Sequence, residues 1–460
     1  MAAVQQVVLT PYTAGVGAYT AFARAALPHG QRVMLIGGHN ALLAGEARLI
    51  AAIRGTGLHI VGRLVVGPPC SMAQAQQTAQ AARDAGAQMI CGMGGGKAID
   101  IAKAAGELAG LPVFAMPTIA ATCAAVTALS VMYHPDGAFD RFLFLSHPPV
   151  HAYIDMDVMA AAPWQYLRAG LGDSLAKHVE TPFSARSQAL TQADSMGVAL
   201  AQGLWAPLAA SGAQALADNR AGIVSPALEL AALTSIVTVG YVSLLVREQF
   251  NGALAHSLYY AMEHLPAMQQ VLHGDAVGWG ALVQLVLDEQ GERAKALLAL
   301  LRALGTPCSL EEMGIEQEDA AMRERFYDEL HREVARGDRD GLLAQEPQEQ
   351  LDTGPSAGLA RDLHARQGRG GHGGDGDVVD AYDGQLLGHP HPPLPSALEH
   401  AEREQVVVGE DRARAAREGE VGRGDPARDE GPEGPEVDDL DVVVLGGDLG
   451  DGRAAPALGP

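Results

Sequence analysis

Cysteine is scarce. The 460-residue chain has four, Cys70, Cys91, Cys123 and Cys308, and no two form a C-x-x-C pair. That excludes a disulfide scaffold and a cysteine-built zinc module, and it fits a reducing cytoplasm. Basic residues are also few: Lys and Arg total 32 against 55 Asp and Glu, a formal net charge of −23. The basic footprint of a nucleic-acid binder is missing, so no nucleic-acid partner is expected. Met1 to Ala14 has no basic stretch followed by an apolar one, so no secretory signal is expected. Apolar stretches are broken by Gly, Ser, His or charge before about 18 residues, so no membrane span or membrane partner is expected either.

Three residue types run out along the chain. The last Lys is Lys295, the last Ile is Ile315 and the last Met is Met322. From about Gly341 onward, 25 acids face 10 bases, so this stretch holds most of the negative charge. Its texture is Gly, Pro, acid and Arg in short runs, such as Gly368 to Asp377. Such a segment buries too little apolar surface to offset its ordering entropy. It reads as a disordered acidic tail or as off-frame translation of GC-rich DNA. The joint loss of Lys, Ile and Met favours the second.

The whole chain is 48% hydrophobic, enough for a large core. The first 160 residues alternate β-type and α-type signals. Val33 to Gly38, His59 to Val66, Gln88 to Met93 and Pro112 to Met116 read as strands. Ala41 to Gly55, Ala73 to Gly86 and Ala98 to Leu108 read as the helices between them. That order implies a parallel sheet with crossover helices. From Tyr166 the chain turns Ala- and Leu-rich with helical periodicity through about Arg336. The expected fold is α/β plus all-α, with the ligand cleft between the two parts.

Gly92-Met-Gly-Gly-Gly-Lys97 lies between a predicted strand and a predicted helix. Bare backbone N–H groups and a helix N-terminus there suit a phosphate. It is neither a Walker A loop nor G-x-G-x-x-G, and a tight structural turn is the alternative. Pro117 to Val131 is small and hydroxyl-rich, so Thr118 and Thr122 can donate to phosphate, or simply cap a packed loop. Gly172-Asp173 is expected to open a helix, where Asp173 caps it or ligates. His256 lies in an apolar helix and His273 at a helix start. One carboxylate and two imidazoles on three helices make an open metal site if they converge. His134, His178 and His264 read as surface or loop residues.

Together these stretches resemble the glycerol dehydrogenase-like branch of the iron-containing alcohol dehydrogenase superfamily. The resemblance rests on Gly94 to Lys103, Pro117 to Thr122, Thr127 to Tyr133, Ala169 to Ala176, and His256 with His273-Gly274. It runs from about residue 5 to about 335 and looks closest to hydroxycarboxylate dehydrogenase-type members. It implies a dinucleotide-binding Rossmann-like domain at 1–160, a helical metal-binding domain at 161–337 and the tail at 338–460. It implies Asp173, His256 and His273 as ligands of one divalent metal, Zn, Fe, Ni or Mn. It sets the pyrophosphate at Gly94, Gly95, Gly96 and Lys97, with Asp100, Thr118 and Thr122 nearby. Thr127, Leu129, Val131 and Tyr133 would line the nicotinamide side. A cytoplasmic homo-oligomer acting on a small-molecule substrate is the expected context.

Four departures refine the expectation. Cys123 stands where glycerol dehydrogenases carry an Asp that contacts the polyol. Gly38, followed by His39, stands where a carboxylate would repel a 2′-phosphate, so NADP(H) is expected over NAD(H). Lys177 stands where the iron-dependent branch has a further His, and it is a candidate contact for a substrate carboxylate or else a surface Lys. The Gly/Pro/acid-rich tail replaces a usual helical ending. The expected activity is metal-dependent hydride transfer between NADP(H) and a small 2-oxo or 2-hydroxy carboxylic acid. Two alternatives stay open: a glycerol or 1,2-diol dehydrogenase using NAD, and a folded but inactive cofactor-binding protein. A dehydroquinate synthase-like lyase is disfavoured, because its Glu ligand and basic phosphate set are missing.

Overall fold

Strand β2 (Arg32–Gly37) shows why the first part of the chain forms a sheet covered on both faces. Val33 and Leu35 pack into one buried cluster with Tyr19, Leu42 and Leu49. Met34 and Ile36 pack into another with Ala75, Ala79 and Ile101. A strand buried on both faces reads as a continuous apolar run, as this one does. The structure is a computed structural model that describes residues 6–135, 137–263, 265–315 and 442–444.

The sheet contains β1 (Tyr12–Gly15), β2, β3 (His59–Val65), β4 (Met89–Gly94), β5 (Val113–Pro117) and β8 (His151–Asp155). Its order is β1-β8-β5-β4-β2-β3, continued by β9 (Val442–Val444) on β3, and every pairing is parallel. Apart from those three residues, the tail from 338 to 460 lies outside the described residues. Helices α1 (Phe22–Ala26) and α2 (His39–Ile53) share one face of the sheet, and α3 (Met72–Asp84) and α4 (Gly96–Ala109) share the other. Strands β6 (Leu129–Tyr133) and β7 (Phe139–Phe144) form a separate antiparallel ribbon that the alternating pattern did not anticipate.

The rest is helical: α5 (Met156–Ala161), α6 (Trp164–Ser184), α7 (Gln192–Gly203), α8 (Trp205–Arg220), α9 (Pro226–Leu233), α10 (Val239–Leu245), α11 (Leu254–Met262), α12 (His273–Leu287) and α13 (Gly291–Leu304). One cluster joins Ala115, Ala152 and Ile154 of the sheet to Leu171, Leu175, Val277 and Leu301 of the helices. The structure thus has the expected α/β and all-α parts on a shared core. Local signals set the helix ends. Thr191 and Asp194 form a reciprocal capping box on α7, and Gly305, at φ 73°, ends α13.

Two sequence expectations are corrected here. Asp173 does not open a helix; it lies mid-way along the 21-residue α6. His178 is neither a surface nor a loop residue. It sits on α6 with Nδ1 3.1 Å from the Ala201 carbonyl, and burial lowers its pKa. Separately, α9, a π turn at Thr234–Thr238 and α10 run on as Pro226–Leu245, with a mean hydropathy of 1.8. By length and composition this span can cross a membrane, but 61% of it is buried inside the protein. It is a core helix.

The capping box also predicts an acid sensitivity. Burial pushes the Asp194 pKa up, but the Arg247 and Thr191 amides, the Thr191 hydroxyl and the Arg247 guanidinium pull it below the usual carboxylate range. A carboxylate depressed by folding adds stability above its unfolded pKa of about 3.9, and this is lost as pH falls through the folded value. Asp194→Asn is expected to cost about 2 kcal/mol at pH 7. Urea midpoints of parent and variant should draw together as pH falls below about 3.9.

Candidate active site

The chain reverses direction across the sheet between β2 and β4. From β2 it crosses to β3 on one side, and from β4 to β5 on the other. Ligands of open parallel sheets bind outside the carboxyl ends of the strands at such a point. Here those ends are glycines. Gly38 follows β2 as the N-cap residue of α2; Gly94 ends β4 and Gly95 is the N-cap of α4. The two loops touch: a Cβ on Gly94 would lie 3.8 Å from the Gly38 amide nitrogen. Gly94 also has φ +153°, which disfavours any side chain. No side chain caps the first turn of α4, so its N–H groups face outward with the helix dipole behind them.

The other expected cofactor residues surround this turn. The Thr122 hydroxyl would lie 2.9 Å from a Cβ on Gly96, which places it over the start of α4. Thr118 is buried, and its amide donates to the Gly94 carbonyl. Lys97 is exposed, with Nζ 5.2 Å from the Tyr133 ring centre. Asp100 differs from the rest because its carboxylate is used internally. It pairs with Lys103 at 2.8 Å and accepts from the Val131 amide at 3.1 Å. Lys103 donates in turn to the Thr127 hydroxyl and to the Thr127 and Leu129 carbonyls. Asp100 and Lys103 therefore fix the Thr127–Tyr133 wall to the glycine-loop helix. Lys103 ends the Gly94–Lys103 motif, and the motif alone assigns it no role.

Asp173, His256 and His273 come from α6, α11 and α12. One ligand atom from each lies within 4.8 Å of the others. Asp173 Oδ1 is 3.7 Å from His256 Nε2 and 3.8 Å from His273 Nε2. Two bonds of about 2.1 Å at the tetrahedral angle span ~3.4 Å, so a small closure fits a divalent cation. The donor set, one carboxylate and two imidazoles, suits Zn, Fe, Ni or Mn.

Glycines make this convergence possible. A Cβ on Gly172 would lie 2.2 Å from the Gly274 carbonyl oxygen, and one on Gly274 would lie 1.7 Å from that of Ala169. The residues next to the two candidate ligands, Asp173 and His273, thus let α6 and α12 touch backbone to backbone. Gly280 does the same between α12 and Ala255, beside His256. Burial lowers the His273 pKa to about 4; Asp173 opposes this, and His256 and Lys177 add to it. At neutral pH its ring offers a lone pair without losing a proton.

Lys177 is not a surface residue. It is 6% exposed, and its ammonium donates to the backbone carbonyl and side-chain oxygen of Asn251. Its charge still reaches Cys123 and His273. Cys123 faces the same cluster. Burial, then the Asp173 carboxylate, push its thiol up to about 12, so it stays protonated. Glu180, to which the sequence alone assigns no role, is fully buried. It accepts from His256 Nδ1 at 2.6 Å and from the Ala253 and His256 amides at 2.7 and 3.0 Å. Burial would raise its pKa, but His256 and Lys177 hold it below the usual range. Its signal was the spacing Asp173, Lys177, Glu180, which is i, i+4, i+7 on one helical face. His134 is exposed, as expected, and His264 lies outside the described residues.

Residues 10–154 match the iron-containing alcohol dehydrogenase family. A glycerol dehydrogenase from Escherichia coli O6:H1 is 33% identical over 298 residues, covering 63% of this chain and 79% of that protein. Hydroxycarboxylate dehydrogenase A of Escherichia coli K12 is 31% identical over 286 residues, 62% of this chain and 78% of that protein. The crystal structure of glycerol dehydrogenase from Schizosaccharomyces pombe superposes with a TM-score of 0.63. It is 25% identical and covers 76% of this chain and 96% of that one. The chain belongs to the iron-containing alcohol dehydrogenase superfamily, in its glycerol dehydrogenase-like branch, and is an oxidoreductase.

Proposed function

We propose that this chain transfers hydride between NADP(H) and a small 2-oxo or 2-hydroxy carboxylic acid, with a divalent metal held by Asp173, His256 and His273. The observation that carries the substrate class is the pair beside Asp173: a neutral thiol at Cys123 and a buried ammonium at Lys177. A carboxylate at position 123 would repel an anionic substrate, and the thiol does not. Lys177 spends two donors on Asn251, so it attracts a substrate carboxylate through its field and its remaining N–H.

The metal would supply Lewis acidity towards the substrate carbonyl. The chain's own residues do the placing. The Gly94–Lys97 turn with Thr118 and Thr122 receives the pyrophosphate, and the Thr127–Tyr133 wall backs the nicotinamide. The cofactor carries the hydride chemistry. Four free cysteines, three of them buried, support a reducing cytoplasm as the working compartment.

For cofactor choice the argument rests on Gly38. A Cβ there would meet only the Val66 carbonyl oxygen, at 3.9 Å, so the position has room and no negative charge. Gly38→Asp is expected to shift the kcat/KM ratio towards NADH by about tenfold, a difference of ~1.4 kcal/mol. An unchanged ratio would remove the NADP(H) argument.

Two relatives carry the name glycerol dehydrogenase, which favours glycerol as substrate in the second reading, oxidation of glycerol or a 1,2-diol with NAD. One assay separates the two. The chain is stripped of metal and reloaded with Zn²⁺, Fe²⁺, Ni²⁺ or Mn²⁺. Each form receives NADPH or NADH with 2-oxobutanoate, and NAD⁺ or NADP⁺ with glycerol. Metal-dependent NADPH oxidation on the oxo acid is the expected result. Turnover on glycerol alone would sink the oxo-acid reading, and silence from a folded chain would favour an inactive cofactor-binding protein.

A further inference from the structure

One stripe of α6 grips the turn that leads into α11. Lys177 donates to Asn251, Glu180 accepts from Ala253 and His256, and Ser184 donates to the Gly252 carbonyl at 2.8 Å. Helix α11 needs that grip, because its N-cap residue is Ala253, which has no side-chain oxygen. Glu180 fills the gap from a neighbouring helix. Its Oε1 takes the His256 amide, the N–H that a local capping side chain would take. The other carboxylate oxygen takes the His256 ring at Nδ1.

We propose that Glu180 is a positioning residue for the metal site: it holds His256 as the Nδ1–H tautomer, aims Nε2 at Asp173 and His273, and so sets how tightly the three ligands take a divalent cation. Two backbone N–H groups and the His256 Nδ1 atom converge on the Glu180 carboxyl between 2.6 and 3.0 Å. An ionised carboxylate only accepts, so it satisfies all three and leaves the ring proton on Nδ1. The lone pair is then on Nε2, 3.7 Å from Asp173 Oδ1. Carboxylate partners of this kind fix ligand orientation and raise ligand basicity. The role in metal affinity rests on the metal reading above; the tautomer does not.

Two variants separate positioning from plain helix capping. In Glu180→Gln the amide oxygen can still take the backbone N–H groups, while its NH₂ donates to Nδ1 and forces the proton onto Nε2. In the double variant Glu180→Ala with Ala253→Ser, α11 regains a local cap but the His256 ring loses its partner. The first readout is ¹⁵N-histidine NMR on the metal-free chain. The second is Zn²⁺ affinity by chelator competition, with the visible spectrum of the Co²⁺ form. The parent is expected to show Nδ1–H and the Gln variant Nε2–H. Zn²⁺ affinity should fall by about 10–100-fold in both variants, with a changed Co²⁺ spectrum and a thermal midpoint in the double variant close to the parent's. An unchanged tautomer in the Gln variant, or parent-like Zn²⁺ affinity in both variants, would overturn the proposal. A parent chain that binds no Zn²⁺ overturns the metal reading and the affinity role with it, and the tautomer then tells the two failures apart.

Discussion

His273→Ala is expected to abolish metal retention and to cut turnover by about a thousand-fold or more. Metal sites of this kind use three protein donors and keep one position for substrate. Removing His273 leaves one carboxylate and one imidazole, too few to hold the ion through dialysis. The Lewis acidity at stake is several kcal/mol of transition-state stabilisation, and each 1.36 kcal/mol is a factor of ten. The fold should survive. His273 is the first residue of α12, and its side chain is two-thirds buried but 31% exposed, so truncation opens a space that joins solvent rather than a closed core cavity. Its packing loss is an edge-on contact with the Tyr259 ring at 4.4 Å and a tilted one with the His256 ring at 5.3 Å. Stability should change by about 1 kcal/mol or less. Elemental analysis after dialysis, an NADPH-oxidation assay and a urea melt test the three parts. Full metal content with full turnover would remove His273 from the ligand set.

The sequence exposed the sheet more readily than the site, for a physical reason. A parallel strand covered on both faces must be apolar throughout, so Val33–Ile36 and Met89–Met93 show themselves without any partner in view. The β6–β7 ribbon did not, although Pro135-Asp136-Gly137 is a turn signal between its strands. Its residues alternate only weakly, because α4 and the ribbon's own aromatics share its burial. Asp173 was misplaced at a helix start because Gly170 and Gly172 weaken the local helix signal around it. Packing overrides that signal, since both glycines serve contacts with other segments. Residue chemistry offered Asp173, His256 and His273 only as a site if they converge, and the resemblance made them ligands, because no spacing relates residues 173, 256 and 273. Glu180 was legible in principle by its stripe with Asp173. Its meaning needed Ala253, which lacks a cap, and that pairing exists only in three dimensions.

Gly274→Ala is expected to damage the site from outside it. The new Cβ would lie 1.7 Å from the Ala169 carbonyl oxygen, 2.4 Å from its carbonyl carbon and 2.9 Å from its Cα. All three are backbone atoms of α6, so no side chain can turn away. The helices must part, and α6 carries Asp173 while α12 carries His273. Overpacking of this kind costs about 1–3 kcal/mol, readable as a lower urea midpoint. The larger effect should be on the ligands. Parting α6 and α12 by about 1 Å opens the 3.8 Å Asp173–His273 approach, and a misplacement of that size costs about a hundred-fold in rate. Gly203→Ala supplies the control. Its Cβ would meet nothing within 4 Å, and the residue ends α7 with no positive φ. That change should be neutral or stabilising by up to ~1 kcal/mol. If Gly274→Ala kept parent metal affinity and turnover, the backbone contact between α6 and α12 could not be what sets the ligand spacing.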